Sequence, residues 1–77
     1  MNIQIFLNEL SEELELENVL ELNTNLKELD EWDSMTAMLL IGYVSEKFKV
    51  TLNGGDISEI DTVGSLINKI GDDKFEN

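Results

Sequence analysis

The chain contains no cysteine and no histidine. Those absences remove disulfides, thiolate nucleophiles, zinc sites built from the usual ligands and every serine-histidine relay. Basic residues are scarce as well, 5 against 17 acidic ones, for a formal charge of -12. Such a surface repels nucleic-acid phosphates and anionic membranes, so no nucleic acid is expected and basic protein surfaces are the natural partners. Long apolar runs are missing too. The longest, residues 35–44 with Thr36 and Gly42 inside it, is about half of what a bilayer crossing needs, so no membrane span is expected. The first residues carry no basic lead and turn acidic at once, unlike a secretory signal, which leaves the cytoplasm as the expected compartment. With 77 residues, the chain reads as one domain over 1–77, with room for a single small core and a simple site.

What is present is helical periodicity. Ile3, Phe6, Leu7, Leu10 and Leu14 fall three and four apart and predict an amphipathic helix over 2–16. Its other face carries Glu9, Glu12, Glu13 and Glu15 as solvated surface. Residues 17–33 mix the breakers Asn18, Asn23 and Asn25 with Val19, Leu20, Leu22, Leu26 and Leu29, which ask for burial. They predict a long ordered loop, and loops of that length in compact domains tend to serve a site at their end. At that end stands Asp33-Ser34-Met35, where acidic sequence gives way to Met38-Leu39-Leu40-Ile41. A serine there caps a helix or carries a covalent group. The two roles are compatible, because free backbone N–H groups and the positive end of a helix dipole also stabilise a phosphate ester.

A second helix is predicted over 34–48, with Met38, Ile41, Val44 or Ser45, and Phe48 as its core stripe. Leu39 and Tyr43, four apart, then share a face outside that stripe, which means either a wider buried face or a partner contact. Residues 48–52 alternate like a strand and Asn53-Gly54 is a hairpin signal. With no third strand to complete a sheet, a short helix over 56–60 is favoured. Asp61 and Thr62 offer a cap for a last helix with Val63, Leu66, Ile67 and Ile70 on one face, Lys69 in its final turn and Gly71 as its stop. Residues 72–77 are expected to fray. The expected fold is all-α: a small four-helix bundle with a long first loop and a short third helix.

So arranged, the chain resembles an acyl carrier protein, a phosphopantetheine-attachment carrier domain, over nearly its whole length. Asp33-Ser34-Met35 meets the Asp-Ser-Leu signature of the carriers, supported by Phe48 closing the second helix and Ile60-Asp61-Thr62-Val63 opening the fourth. The resemblance implies that Ser34 receives 4'-phosphopantetheine covalently from coenzyme A, and that Asp33 supports the step at the phosphopantetheinyl transferase through its magnesium. It further implies a monomeric carrier of lipid-biosynthesis type, not an enzyme and with no metal site of its own. Such a carrier holds an acyl or aminoacyl group as a thioester for loading and acceptor enzymes. A serine hydroxyl is a poor nucleophile unaided and the chain holds no base for it, so activation comes from a second protein.

Several positions depart from the family pattern. Glu31 replaces a common glycine, Met35 a near-isosteric leucine, and Trp32 is read as packing over the loop rather than as a surface contact. No acid follows Ser34 in the second helix until Glu46, which weakens the case for standard fatty-acid partners. The expected partner surface is Met35, Leu39, Tyr43, Glu46, Asp56 and Glu59. Met38, Ile41, Val44, Ile57 and Ile60 are either plain core or a pocket for a short acyl chain. The alternatives are a D-alanyl or peptidyl carrier using the same serine, and an unmodified acidic module that docks partners through Leu39 and Tyr43. No stretch has the alternating acids, central glycine and terminal glutamate of a calcium loop.

Overall fold

Asn2 opens the first helix by accepting the Ile5 N–H on its side chain at 3.2 Å, and α1 runs Ile3–Glu13 in the computed structural model, which describes residues 1–76. Three further α-helices follow: α2, Ser34–Phe48; α3, Gly54–Glu59; and α4, Val63–Ile70. The expected stripe of α1 is the buried one, with Phe6, Leu7, Leu10 and Leu14 in the core. Because the apolar positions share one face of the helix and Glu9, Glu12 and Glu13 the other, burial and solvation select the same helix orientation.

Between α1 and α2 the chain is irregular apart from a short 3₁₀ turn at Leu26–Glu28. Its order comes from docking. The buried Ser11 hydroxyl donates to Leu7 O at 2.6 Å and accepts the Leu20 N–H at 2.9 Å, fastening the loop's first part to α1. Farther on, the Gly64 N–H donates to Leu22 O, Val63 N–H to Thr24 O and Leu26 N–H to Asp61 O, all within 3.1 Å. The Lys27 ammonium donates to Ser58 O at 2.8 Å. The loop thus satisfies part of its backbone against the α3–α4 junction and part through its own turns, such as Thr24 N–H to Glu21 O and Trp32 N–H to Leu29 O. Leu20 and Leu26 are buried as expected, but Val19 and Leu22 remain exposed.

Helix α2 spans the expected residues but is turned differently. Its buried side chains are Thr36, Leu40, Tyr43 and Val44, whereas Met38 is 71% exposed. The Tyr43 ring lies 6.1 Å from Phe6, and its hydroxyl donates to Glu9 Oε1 at 2.9 Å. Burial, then the bond to that carboxylate, push the phenol above its ordinary pKa of 10.0. Tyr43 is therefore core and not partner surface. The helix is apolar on nearly every side, so two stripes were compatible with its spacing, and packing on α1 chose between them.

The strand-like signal after Phe48 does not become a hairpin. Lys49 ends α2 in the left-handed conformation, and Asn53 caps α3. Asn53 and Asp56 form a capping box: Asn53 Oδ1 accepts the Asp56 N–H and Asp56 Oδ2 accepts the Asn53 N–H. Thr62 caps α4 by accepting the Ser65 N–H, and Gly71, at φ 124°, stops it. The tail expected to fray is docked over its described residues. Asp72–Lys74 form a 3₁₀ turn, Phe75 packs 4.9 Å from Phe6 and 5.0 Å from Phe48, and residue 76 pairs beside Asn2. One aromatic anchor outweighs the polar composition around it; Asn77 lies outside the described residues.

Candidate functional site

Ser34 is the first residue of α2, at the point where the loop meets the helix. Asp33 is the cap before it, in extended conformation, with Oδ1 accepting the Thr36 N–H at 2.8 Å. The buried Thr36 hydroxyl lies 2.9 Å from Glu31 O and 3.0 Å from Asp33 Oδ1, donating toward both. These bonds, the Thr36 backbone first and its hydroxyl second, hold the Asp33 carboxyl below its ordinary pKa of 3.8. Asp33 is consequently an anion at neutral pH, with Oδ1 committed to the start of the helix.

The Ser34 side chain is exposed, and among the described residues no group hydrogen-bonds to its hydroxyl. The other serines differ. Ser11 is buried and doubly bonded. Ser58 donates to Gly54 O, and Ser65 donates to Thr62 O while accepting the Asp61 N–H. Ser45 is exposed but lies late in α2. Only Ser34 combines an exposed hydroxyl with the first turn of a helix, where unsatisfied N–H groups and the dipole favour an anion.

Beside Ser34, a shallow cavity of about 210 Å³ is lined by Leu14, Glu15, Glu31, Asp33, Met35, Thr36 and Leu39. No cationic side chain lines it. Met35 is 70% exposed and Leu39 37% exposed, so both are available at the surface as expected. Trp32 is partly buried against the core, in agreement with a packing role. Glu31 is bound into the loop, its carboxylate accepting the Glu17 N–H at 3.2 Å.

The remaining expected site residues are dispersed. Glu46 is exposed near the end of α2. Asp56 and Glu59 are both engaged by Lys69, whose ammonium hydrogen-bonds Glu59 and stands 3.6 Å from Asp56. The bond to Glu59, ahead of the other causes, raises the pKa of Lys69. Val44 and Ile60 are closed in the core, Ile41 and Ile57 are partly buried, and Met38 points to solvent. Surface cavities of about 390, 240 and 210 Å³ border α1, the loop and the start of α2, and their linings do not include those five residues. Val44 and Ile60 are thus core residues and Met38 a surface one, while Ile41 and Ile57 lie between those extremes. Thr36 is the site residue that sequence reasoning missed. Its position three after Asp33 is the spacing at which a cap meets its partner, and that was the available signal.

Among the described residues no cluster of metal-ligating side chains occurs, and no helix is long and apolar enough to cross a membrane. The fold is similar to that of the holo acyl carrier protein from Geobacter metallireducens, with a TM-score of 0.71 at 22% identity, covering 88% of this chain and 79% of that one. No curated protein matches the sequence. The family model for the phosphopantetheine attachment site matches residues 4–70. The chain therefore belongs to the phosphopantetheine-attachment family of acyl carrier proteins, and its cofactor is covalently attached 4'-phosphopantetheine.

Proposed function

We propose that Ser34 is the attachment residue and that the chain carries an acyl or aminoacyl group as a thioester, presenting it to partner enzymes. The observation that supports this is the exposed, unbonded Ser34 hydroxyl at the first turn of α2, directly after a cap that holds the turn rigid. The residues fit the group. A phosphodiester at Ser34 Oγ lies at the positive end of the helix, and the covalent bond replaces the lysines and arginines that a reversible phosphate site would need. When bound, the cofactor supplies a thiol on a flexible arm, the point at which cargo is esterified.

The residues around Ser34 divide the work. Thr36 fixes Asp33, and Asp33 fixes the helix start that displays Ser34. The exposed, anionic Asp33 carboxylate is offered to the transferase and its magnesium. The chain has no histidine to take the serine proton, so that base belongs to the transferase. Val44 and Ile60 are closed in the core and Met38 lies outside it. A net charge of -12 opposes self-association and supports a monomeric carrier.

Intact-mass measurement after incubation with coenzyme A, magnesium and a broad-specificity transferase tests the assignment. One phosphopantetheine should be added, and Ser34→Ala should abolish the addition with Ser11, Ser45, Ser58 and Ser65 unmodified. An unchanged wild-type mass with several competent transferases, or modification mapped to another serine, refutes it.

A further inference from the structure

Val19 is 57% exposed and Ile5 51%, and both exposures are built into the fold. Leu20 is buried with its N–H on Ser11 Oγ, which fixes the loop and holds its neighbour Val19 at the surface. On α1, Ile5, Asn8 and Glu12 fall at i, i+3 and i+7 and so share a face, outside the buried stripe of Phe6, Leu7 and Leu10. The flank formed by α1 and the loop thus keeps two large apolar side chains in water.

Between α1 and the loop, Asn8, Glu12, Leu16, Glu17, Asn18 and Val19 surround a cavity of about 240 Å³, with the buried Ser11 beneath it. Its floor asks for no polar group. The Ser11 hydroxyl already donates to Leu7 O and accepts the Leu20 N–H, and among the described residues no buried side-chain polar atom lacks a partner. The rim carries charge of one sign. Glu12 and Glu17 belong to no ion pair among the described residues, and no lysine lines the cavity. An occupant must therefore be apolar where it enters and cationic where it crosses the rim. A second copy of this chain, at a charge of -12, is repelled by those acids. A small polyamine would meet the acids but leave Ile5 and Val19 in water, so the occupant is a protein segment.

We propose that the α1–loop flank seats a cationic amphipathic helix of a partner enzyme. One large apolar side chain of that helix fills the cavity beside Leu16 and Val19, and its lysine or arginine side chains meet Glu12 and Glu17. A helix laid in a groove presents its anchors at i, i+3, i+4 and i+7, so a single face covers the α1 residues and the loop together. No residue of this seat belongs to α2. A partner held here leaves Ser34 and α2 open to a second protein, and the chain can be tethered to one enzyme while another acts on it. The proposal goes beyond the attachment reading and does not rest on it.

Amide chemical-shift mapping of the unmodified chain, titrated with a synthetic helix of about 18 residues built from leucine and lysine at that spacing, tests the proposal. The largest shifts should fall at Asn8, Leu16, Asn18 and Val19. Val19→Glu and Ile5→Glu should each weaken binding about tenfold. Their melting temperatures should stay within about 4 °C of wild type, because both side chains already face solvent in the free chain. Glu12→Gln combined with Glu17→Gln should weaken binding about threefold and reduce its salt dependence. A peptide with glutamate in place of lysine should not bind, and one with serine in place of leucine should bind at least about tenfold more weakly. Shifts confined to Met35, Met38 and Leu39, or a Val19→Glu variant that binds as wild type does, overturn the proposal. No shift at about 1 mM peptide overturns it too. Flank shifts that follow protein concentration without peptide assign the seat to a second copy and also overturn it. Because the chain is titrated before any modification, neither result bears on Ser34 as the attachment residue.

Discussion

Ser11→Ala should destabilise this domain far more than a serine-to-alanine change on a helix ordinarily does. The Ser11 side chain is buried, and its Oγ is the acceptor for the Leu20 N–H at 2.9 Å, with Leu20 itself only 3% exposed. Removing the hydroxyl leaves that N–H unpaired where water has poor access, at a cost of about 1 to 3 kcal/mol. The gain in helix propensity returns about 0.5 kcal/mol at most. The lost bond to Leu7 O matters less, because that carbonyl keeps its helical environment. A net loss of about 1.5 kcal/mol, at roughly 4 to 8 °C per kcal/mol for a domain of this size, lowers the melting temperature by about 10 °C. Circular-dichroism melts measure the loss. Hydrogen exchange at the Leu20 amide locates it, since that amide should be protected in the wild type and released in the variant. A shift under about 2 °C with the Leu20 amide still protected would refute the claim that this hydroxyl fastens the loop leading to Ser34.

Asp33→Ala should weaken the start of α2, and the difference from wild type should depend on pH. The folded-state pKa of Asp33 is depressed, so its contribution is fully present above the ordinary value of 3.8 and is lost as pH falls through the lower folded value. Melts of the two proteins from neutral pH downward should therefore converge only in acid; a gap independent of pH contradicts the cap. Phe75→Ala should cost about 2 kcal/mol, below the usual figure for a fully buried phenylalanine because Phe75 is only partly buried against Phe6 and Phe48. Exchange should rise first at the Ile3 and Glu76 amides, which pair the chain ends; full protection there after the substitution would show that Phe75 does not anchor the tail.

Some features of this protein were legible because they are local. The polar-to-apolar change at Ser34, the Thr62 cap, the Gly71 stop and the 3.6-residue spacing of α1 and α4 each act through neighbours a few residues away. A backbone N–H near the start of a helix needs an acceptor within reach, whatever the rest of the chain does. The candidate site was legible for the same reason, since Asp33 and Ser34 are adjacent in sequence and act at one helix terminus. Thr36 lies within that reach too, but its hydroxyl matters because it also meets Glu31 O across the loop's last turn.

Other features depended on distant groups. Asn53 serves a hairpin or a helix cap equally well by composition, and with no strand to pair with among the described residues it became the cap. Phe75 anchors a polar tail only because Phe6 and Phe48 form an aromatic surface for it at the opposite end of the sequence. The orientation of α2 is the clearest case. A helix apolar on nearly all sides has no unique buried stripe, so its own period left Met38 and Tyr43 interchangeable. Tertiary packing separated them, because Tyr43 meets Phe6 with its ring and Glu9 with its hydroxyl. No such pair of partners on α1 was available to Met38, which faces solvent beside the candidate attachment residue.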